Sequence, residues 1–515
     1  MEFIRKNKAV LALLLCILIL ALLLRVFNIG HVLSWDEAWN LHTVRDGARG
    51  LTQTEYFSNF YRHPPGYIGL GIVYAYVTGT GRAGLATAME LLSIISSLLL
   101  IVLIFLCGRD WFDERAGLVA AFIFALLPIS RVFDTWVKQE SMTLLFGLAF
   151  LLLFFRKRYI WAGVALGIAV LTKEIAVFVP LAVLLFILVT RRFKEIRNLA
   201  ISSLVAVAAS FWWYLFFSTS KGAFTEFFFG KSLEAQEWHH PWHYYLGRLP
   251  ADLGWPVLIL SLIALAVLVY EWRTKKTAAG DGKAYRPQEM VLFVICWIIA
   301  VYVPMSVSYG KPPWMVYSAA PAFALLAGWG AVELVNVVEK RKRLALSLVG
   351  LLLVLCLTLS LPVGFGTYVV KADPSFNNAK RDKRVADYIN KSLGAGGRVV
   401  MRSDDQTPRL LYYLDLYDPR TTAFIPHDAP TGADPAGQKL YLLDHQVTLD
   451  EASQRVRAIS PDLVLMLRWP PGVANAPVDL TAPFSQLVHA VILRDEWIFD
   501  GKKLAQAIAH QPGSK

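Results

Sequence analysis

From residue 9 to about residue 365 the chain returns repeatedly to apolar runs that match the thickness of a lipid bilayer. A helix of about 20 apolar residues crosses the hydrocarbon core, and within that core each backbone N–H and C=O must be satisfied internally. The admissible fold is therefore a bundle of membrane helices. Eleven spans are expected, at 9–29, 84–107, 116–133, 139–155, 159–173, 175–190, 198–217, 251–270, 290–308, 315–335 and 345–365. The segment MEFIRKNK with its long apolar continuation reads as a retained first helix. Its run is too long for a typical signal-peptide core, and no small-residue cleavage site follows. After residue 370 no spanning run remains, and the charge becomes mixed. The expected organisation is a polytopic helical domain over 1–370 and a soluble α/β domain over 371–515. In the latter, "GRVVMRS" and "PDLVLMLRW" read as strands and "DDQTPRLLYYLDL" as a helix.

The net charge of +12 does not signify nucleic acid. The basic residues cluster beside spans: Arg5, Lys6 and Lys8; Arg156, Lys157 and Arg158; Arg191, Arg192, Lys194 and Arg197; Arg273, Lys275 and Lys276; Lys340 to Arg343. This is the positive-inside pattern, so these loops read as cytoplasmic. An N-terminus inside and eleven spans put the C-terminal domain outside, in the periplasm of a Gram-negative cell, with the helices in its inner membrane. The four cysteines, Cys16, Cys107, Cys296 and Cys356, lie in or at the ends of spans, so no disulfide framework holds the soluble domain.

Charge at membrane depth is costly, and its placement marks function. Under this topology Asp36, Glu37, Arg62, His63, Arg131, Asp134, Lys138, Glu140, Lys173, Glu174, His239, His240, His243 and Lys311 all map to external span ends. A wet cavity open to the external face accounts for that bias. Acids beside basic groups at a membrane surface suit group transfer from a lipid phosphate. Arg and Lys stabilise the leaving anion, and a carboxylate takes the proton of an incoming hydroxyl. No soluble nucleotide is available outside the cell, which favours a lipid-linked donor. The first external loop also carries "GYIGLGIVYAYVTG", apolar but short for a span, which reads as an interfacial or re-entrant helix.

Four stretches carry a family resemblance: "SWDEAWN" (34–40), "RHPPGY" (62–67), "SRVFDTWVKQESMTLLF" (130–146) and "GKPPWMVYSAAPAFALLAG" (310–328), with "HHPWHYYLGRLP" (239–250) as a weaker fifth. Their order and shared face resemble the GT-C glycosyltransferases of the protein-O-mannosyltransferase and aminoarabinose-transferase group, glycosyltransferase family 39. The resemblance implies an inverting transferase that moves a monosaccharide from a polyprenyl phosphate to an acceptor hydroxyl on a lipid, glycan or protein. It implies Asp36 as general base, with Glu37 beside it. Inversion needs a single in-line displacement, so one carboxylate suffices where a retaining glycosidase uses two. The plainer reading of Asp36 and Glu37 is a helix-end cap or an ion pair.

The remaining assignments follow from the same reading. Arg62, Arg131, Lys173 and Lys311 are expected at the donor phosphate, while His63, Tyr67, Lys138, Glu140, His239, His240 and Tyr244 are expected to contact substrate. Lys138 and Glu140 are expected to pair with each other or with Arg131, and Tyr317 to serve packing. No cofactor is called for. A divalent metal on Glu237, His239 and His243 is the weaker alternative, since His239 and His243 share a face only if the segment is helical. Two other functions compete: a transporter or flippase of lipid-linked sugars, and a non-catalytic subunit of an envelope-polysaccharide assembly. A transporter of this size is expected to show two related halves with interrupted helices, and the sequence has no such halves.

Overall fold

The computed structural model describes residues 8–54, 56–57, 60, 64–216, 226, 228–232, 235–236, 238–274, 285–337, 342–360, 376–393, 397–402, 407–415, 417–425, 438–444, 447–467, 481–488, 490–493 and 496–510. The chain divides into two compact units. One gathers Met1–His31 and Thr43–Ala372, the other Val32–His42 and Asp373–Lys515.

The first unit is helical. Its elements are α1 (Lys8–Val26), α2 (Trp35–Ala48, whose first eight residues count with the other unit), α3 (Gly66–Thr78), α4 (Arg82–Trp111), α5 (Glu114–Leu126), α6 (Pro128–Phe133), α7 (Glu140–Phe155), α8 (Tyr159–Thr172), α9 (Phe178–Thr190), α10 (Glu195–Phe216), α11 (Tyr244–Leu253), α12 (Trp255–Thr274), α13 (Pro287–Val307), α14 (Ala320–Val337) and α15 (Lys342–Ser360). Among the described residues, seven helices are long and apolar enough to cross a membrane: Lys8–Val26, Gly84–Trp111, Glu195–Phe216, Trp255–Arg273, Pro287–Val307, Pro313–Val337 and Lys342–Leu359. The other four expected spans fall on the shorter helices α5, α7, α8 and α9, of 13 to 16 residues.

The expected span 116–133 is not one helix. Leu127 adopts φ −54° and ψ 129°, and Pro128 restarts the chain as α6. A residue before proline is pushed out of the helical region, which ends α5 there. The break turns Arg131 and Asp134 into a short, buried segment at the end of the hairpin. The expected interfacial helix is α3. It buries Tyr67, Ile68, Gly71 and Ala75 and exposes Leu70, Val73, Tyr76 and Val77.

Close helix packing rests on small residues, as expected where apolar helices gain nothing by leaving lipid for one another and must gain from contact. A Cβ on Gly163 would lie 2.5 Å from the Ser202 carbonyl of α10, and one on Gly167 would lie 2.7 Å from Cβ of Ala209. The α8–α10 pair therefore has no room for a side chain at either position.

The second unit contains α16 (Phe376–Leu393), β1 (Val399–Arg402), α17 (Thr407–Tyr413), β2 (Thr422–Ile425), β3 (Leu440–Leu443), α18 (Leu449–Ile459), β4 (Leu463–Leu467), α19 (Thr481–Leu487), β5 (Ala490–Leu493), β6 (Glu496–Asp500) and α20 (Gly501–Ala509). Its six strands run in the order β2-β3-β1-β4-β6-β5. β2, β3, β1 and β4 are parallel, with Val399 opposite both Leu440 and Leu463; β6 is antiparallel to β4 and β5. The four residues of β1 are all buried, as suits a central strand covered on both faces. Val400, Tyr441, Val464, Met466, Phe499 and Leu504 form its core. A Thr448–Glu451 capping box starts α18.

Replacing Gly163 with leucine is expected to force α8 away from α10 and cost about 1–3 kcal/mol of overpacking strain. A fall in the thermal unfolding midpoint of the detergent-solubilised protein checks this.

Candidate active site

The first unit is organised around one buried ion pair. Arg25, near the end of α1, donates to Asp134 through Nε at 3.0 Å and Nη2 at 2.5 Å. Its remaining donors reach the carbonyls of Ala21 and Ala125, both at 3.2 Å, and Ser130 Oγ at 3.1 Å. Asp134 also accepts from Ser97 Oγ at 2.5 Å, from Ser141 Oγ at 2.8 Å and from the Tyr317 hydroxyl. Both charged side chains are fully buried. The pair ties α1, α4, α6, α7 and the 3-10 turn Pro313–Ala319 to one point. Tyr317 thus serves the scaffold through its hydroxyl as well as by packing.

Lys138 and Glu140 gather at Trp314. Lys138 Nζ lies 3.9 Å from the Trp314 ring centroid and 4.4 Å from that of Trp136, a cation between two aromatic rings. Such a contact stabilises a desolvated ammonium by about 2 kcal/mol. Glu140, the first residue of α7, binds Lys173 Nζ at 2.6 Å through Oε1. The expected pairing of Glu140 with Lys138 or Arg131 is therefore corrected. Lys173, the extended residue that ends α8, reaches back to Glu140 while Lys138 is taken by the tryptophans. Oε2 of Glu140 and Oγ of Ser318 are buried and have no hydrogen-bond partner among the described residues. Both residues line a small pocket with Thr143, Trp314 and Tyr317.

Lys311 lies two residues before the same 3-10 turn. Its Nζ donates to the Ser308 carbonyl and lies 3.4 Å from that of Tyr309, and its backbone N–H donates to Trp238 O at 2.8 Å. Trp238 in turn meets Trp314 edge-on at 5.1 Å. Lys311 is buried, and desolvation holds its ammonium below the usual lysine range. His239 stacks on Tyr309 at 4.1 Å, and His240 stacks on Tyr244 at 4.0 Å. Burial, then the charges of Lys311, His239 and Arg248, hold His240 below the ordinary imidazole range, so it is neutral at neutral pH. Gly230, at φ +76°, makes the turn that lets this segment lie against the Tyr309 ring; a Cβ there would lie 2.5 Å from the ring.

Asp36 and Glu37 belong to the second unit. Ser34 Oγ accepts from Glu37 N at 3.3 Å, and Glu37 Oε2 accepts from Ser34 N at 2.7 Å. This reciprocal capping box starts α2 and satisfies two backbone donors that a helix end leaves orphaned. Glu37 is fully buried, whereas Asp36, turned about 100° around the helix, is half-exposed. The pair thus splits: Glu37 caps α2 and is buried, and Asp36 is half-exposed. Trp35 and Trp39 lean together at 4.5 Å.

Other expected residues take simpler places. Arg62, His63 and Glu237 lie outside the described residues. Tyr67 is buried, with its hydroxyl on Met89 O and Ser93 Oγ, both at 2.9 Å. Arg131 is buried on α6. His243 is the residue before α11, and no group of three or more His, Cys, Asp or Glu among the described residues is placed to hold a metal ion. Sequence reasoning overlooked Arg25, Ser97, Ser141, Ser318 and Glu90. Glu90, buried in α4, accepts from Gly30 N at 3.1 Å and lies 3.1 Å from His31 Nδ1.

Helices broken near their ends, with buried charges collected there, describe a polytopic membrane protein, and its fold is shared with the solved structures of ArnT and an archaeal oligosaccharyltransferase. ArnT of Cupriavidus metallidurans bound to undecaprenyl phosphate superposes with a TM-score of 0.62 at 17% identity, over 96% of this chain and 98% of that one. The oligosaccharyltransferase of Archaeoglobus fulgidus in its apo form superposes with a TM-score of 0.54 at 13% identity, over 90% of this chain and 70% of that one. Residues 73–214 match the family model of dolichyl-phosphate-mannose-protein mannosyltransferase. A curated relative, undecaprenyl phosphate-alpha-4-amino-4-deoxy-L-arabinose arabinosyl transferase 2 of Pseudomonas fluorescens, is 27% identical over 52% of this chain. The match spans 46% of that relative's length.

Breaking the central ion pair from one side strands a buried charge. Arg25→Met and Asp134→Leu are each expected to cost about 3–5 kcal/mol, and the double variant less than either alone. Thermal unfolding of the three proteins in detergent checks the order.

Proposed function

We propose that this protein is an inverting glycosyltransferase. It moves a monosaccharide from a polyprenyl phosphate to a hydroxyl of a lipid, glycan or protein acceptor. The GT-C fold, matched along 96% of the chain, supports the reaction class. The observation that carries the assignment is the split between the two adjacent acids. Glu37 is committed to its helix, and Asp36 is left half-exposed at the same helix start. In this proposal the reaction takes place at the outer face of the bacterial inner membrane, the chain crosses it eleven times, and the C-terminal unit is periplasmic.

In this reading Asp36 takes the proton of the acceptor hydroxyl as its oxygen bonds to C1 of the sugar. The bond from C1 to the phosphate oxygen breaks, and its electron pair leaves on the polyprenyl phosphate. Lys173, Lys311, Arg131 and Arg62 oppose the growing negative charge, a role in which fixed cations are most effective away from bulk water. Lys138 is held between two tryptophan rings. Glu140, held by Lys173 on one oxygen, offers the other to a sugar hydroxyl from the small pocket. An unpartnered buried acceptor costs about 1–3 kcal/mol, which a hydroxyl donor would recover. His239, His240 and Tyr244 are assigned to the acceptor side.

The test uses membrane vesicles holding wild type or Asp36→Asn and a panel of radiolabelled undecaprenyl-phosphate hexoses and aminopentoses. Wild type is expected to consume one donor, and Asp36→Asn to slow that transfer by about 10²–10⁴-fold. Asp36→Asn turning over like wild type would overturn the assignment.

A pH dependence follows from Lys311. Its ammonium is lowered by burial, so its charge is lost as pH rises through a value below the ordinary lysine range. Donor affinity should weaken along that alkaline limb. Lys311→Arg should move the limb upward, since a guanidinium stays protonated. Donor KM measured against pH for both proteins checks the shift.

A further inference from the structure

We infer that the C-terminal α/β unit positions the base, with Tyr413 and His42 as the positioning residues. The inference rests on the assignment of Asp36 above. The segment Val32–His42, which carries Asp36, belongs by its contacts to the C-terminal unit, about 330 residues away in sequence. Two contacts bracket Asp36. Before it, Leu33 N–H donates to the Tyr413 hydroxyl at 3.1 Å. After it, His42 Nε2 lies 2.9 Å from the Pro408 carbonyl, so Nε2 carries the proton and donates. The His42 ring is fully buried and meets Tyr412 and Tyr417 edge-on at 5.6 and 5.1 Å. Between these holds, the Ser34–Glu37 box fixes the first turn of α2. The backbone on either side of Asp36 is thereby held in place.

The clasp is itself braced. Arg409 on α17 donates to Asp382 of α16 through Nε at 2.8 Å, with both side chains buried. Asn390 of α16 donates to the Tyr413 carbonyl at 2.9 Å and accepts from Asp415 N at 3.0 Å. Tyr413 thus stands on a pinned backbone, and its hydroxyl is a fixed point for Leu33. These polar contacts hold the segment before and after Asp36. A base requires them, because an error of about 1 Å in its placement can cost 10²-fold in rate.

The experiment compares full-length wild type, Tyr413→Phe, His42→Ala, His42→Gln and Asp36→Asn in vesicles, with the radiolabelled undecaprenyl-phosphate hexose and aminopentose panel as donors. Tyr413→Phe removes one hydrogen bond and is expected to slow transfer at saturating donor about fivefold. His42→Ala is expected to slow it tenfold or more, on the order of what small displacements of a base cost. His42→Gln keeps an N–H near the ring Nε2 position and should recover most of the rate. Donor KM should stay at the wild-type value throughout, because the donor residues lie elsewhere. Should His42→Ala fail to fold, Tyr413→Phe and His42→Gln decide. Wild-type rates in Tyr413→Phe and His42→Ala, or losses confined to KM, overturn the inference while an inactive Asp36→Asn leaves the base assignment standing. An active Asp36→Asn instead removes the base assignment, and this inference with it.

Discussion

A guanidinium and a carboxylate cannot be buried among apolar helices unless each is completely occupied. Arg25 and Asp134 meet that condition with donors and acceptors drawn from α1, α4, α5, α6, α7 and the turn at Tyr317. The pair is not an efficient source of stability, because desolvation consumes most of the attraction. What it supplies is a definite meeting point. Apolar helices slide past one another at small cost, whereas a fully bonded ion pair has one arrangement. The segment 128–141, on which Arg131, Lys138 and Glu140 sit, is fixed by that requirement.

From this point the neighbouring geometry follows in order. Pro128 breaks the hairpin, the break presents Asp134 to Arg25, and the following residues bring Lys138 between Trp136 and Trp314. Trp314 stands on the same 3-10 turn as Tyr317, so the anchor that holds Asp134 also holds the lysine clamp. Scaffold and charge cluster share residues, and neither can be altered without moving the other.

The apolar runs made the helical class and the approximate helix positions legible, since a bilayer leaves few alternatives. The polar cluster was legible as a one-sided bias, but its pairings were not. Lys138 and Glu140 are neighbours in sequence, yet Glu140 bonds to Lys173 across two helices, a contact that no local spacing encodes. Arg25 is legible as a charge within a span, but its partner Asp134, 109 residues on, has no local signal in the sequence. The Ser34-x-x-Glu37 spacing is a capping-box signature, and it distinguishes the two acids that look equivalent in composition. Residue 32–42 membership in the C-terminal unit had no sequence signal, because it depends on contacts between segments more than 360 residues apart.

That separation has a consequence for how the protein is made. Leu33 leaves the ribosome 380 residues before Tyr413, its hydrogen-bond partner. Throughout the synthesis and insertion of the intervening helices, the start of α2 lacks the surface that orders it. A chain cut short before α17 carries every residue of the first unit and still lacks the clasp. The contacts that hold the segment bearing Asp36 therefore form only after Pro408 and Tyr413 have been made.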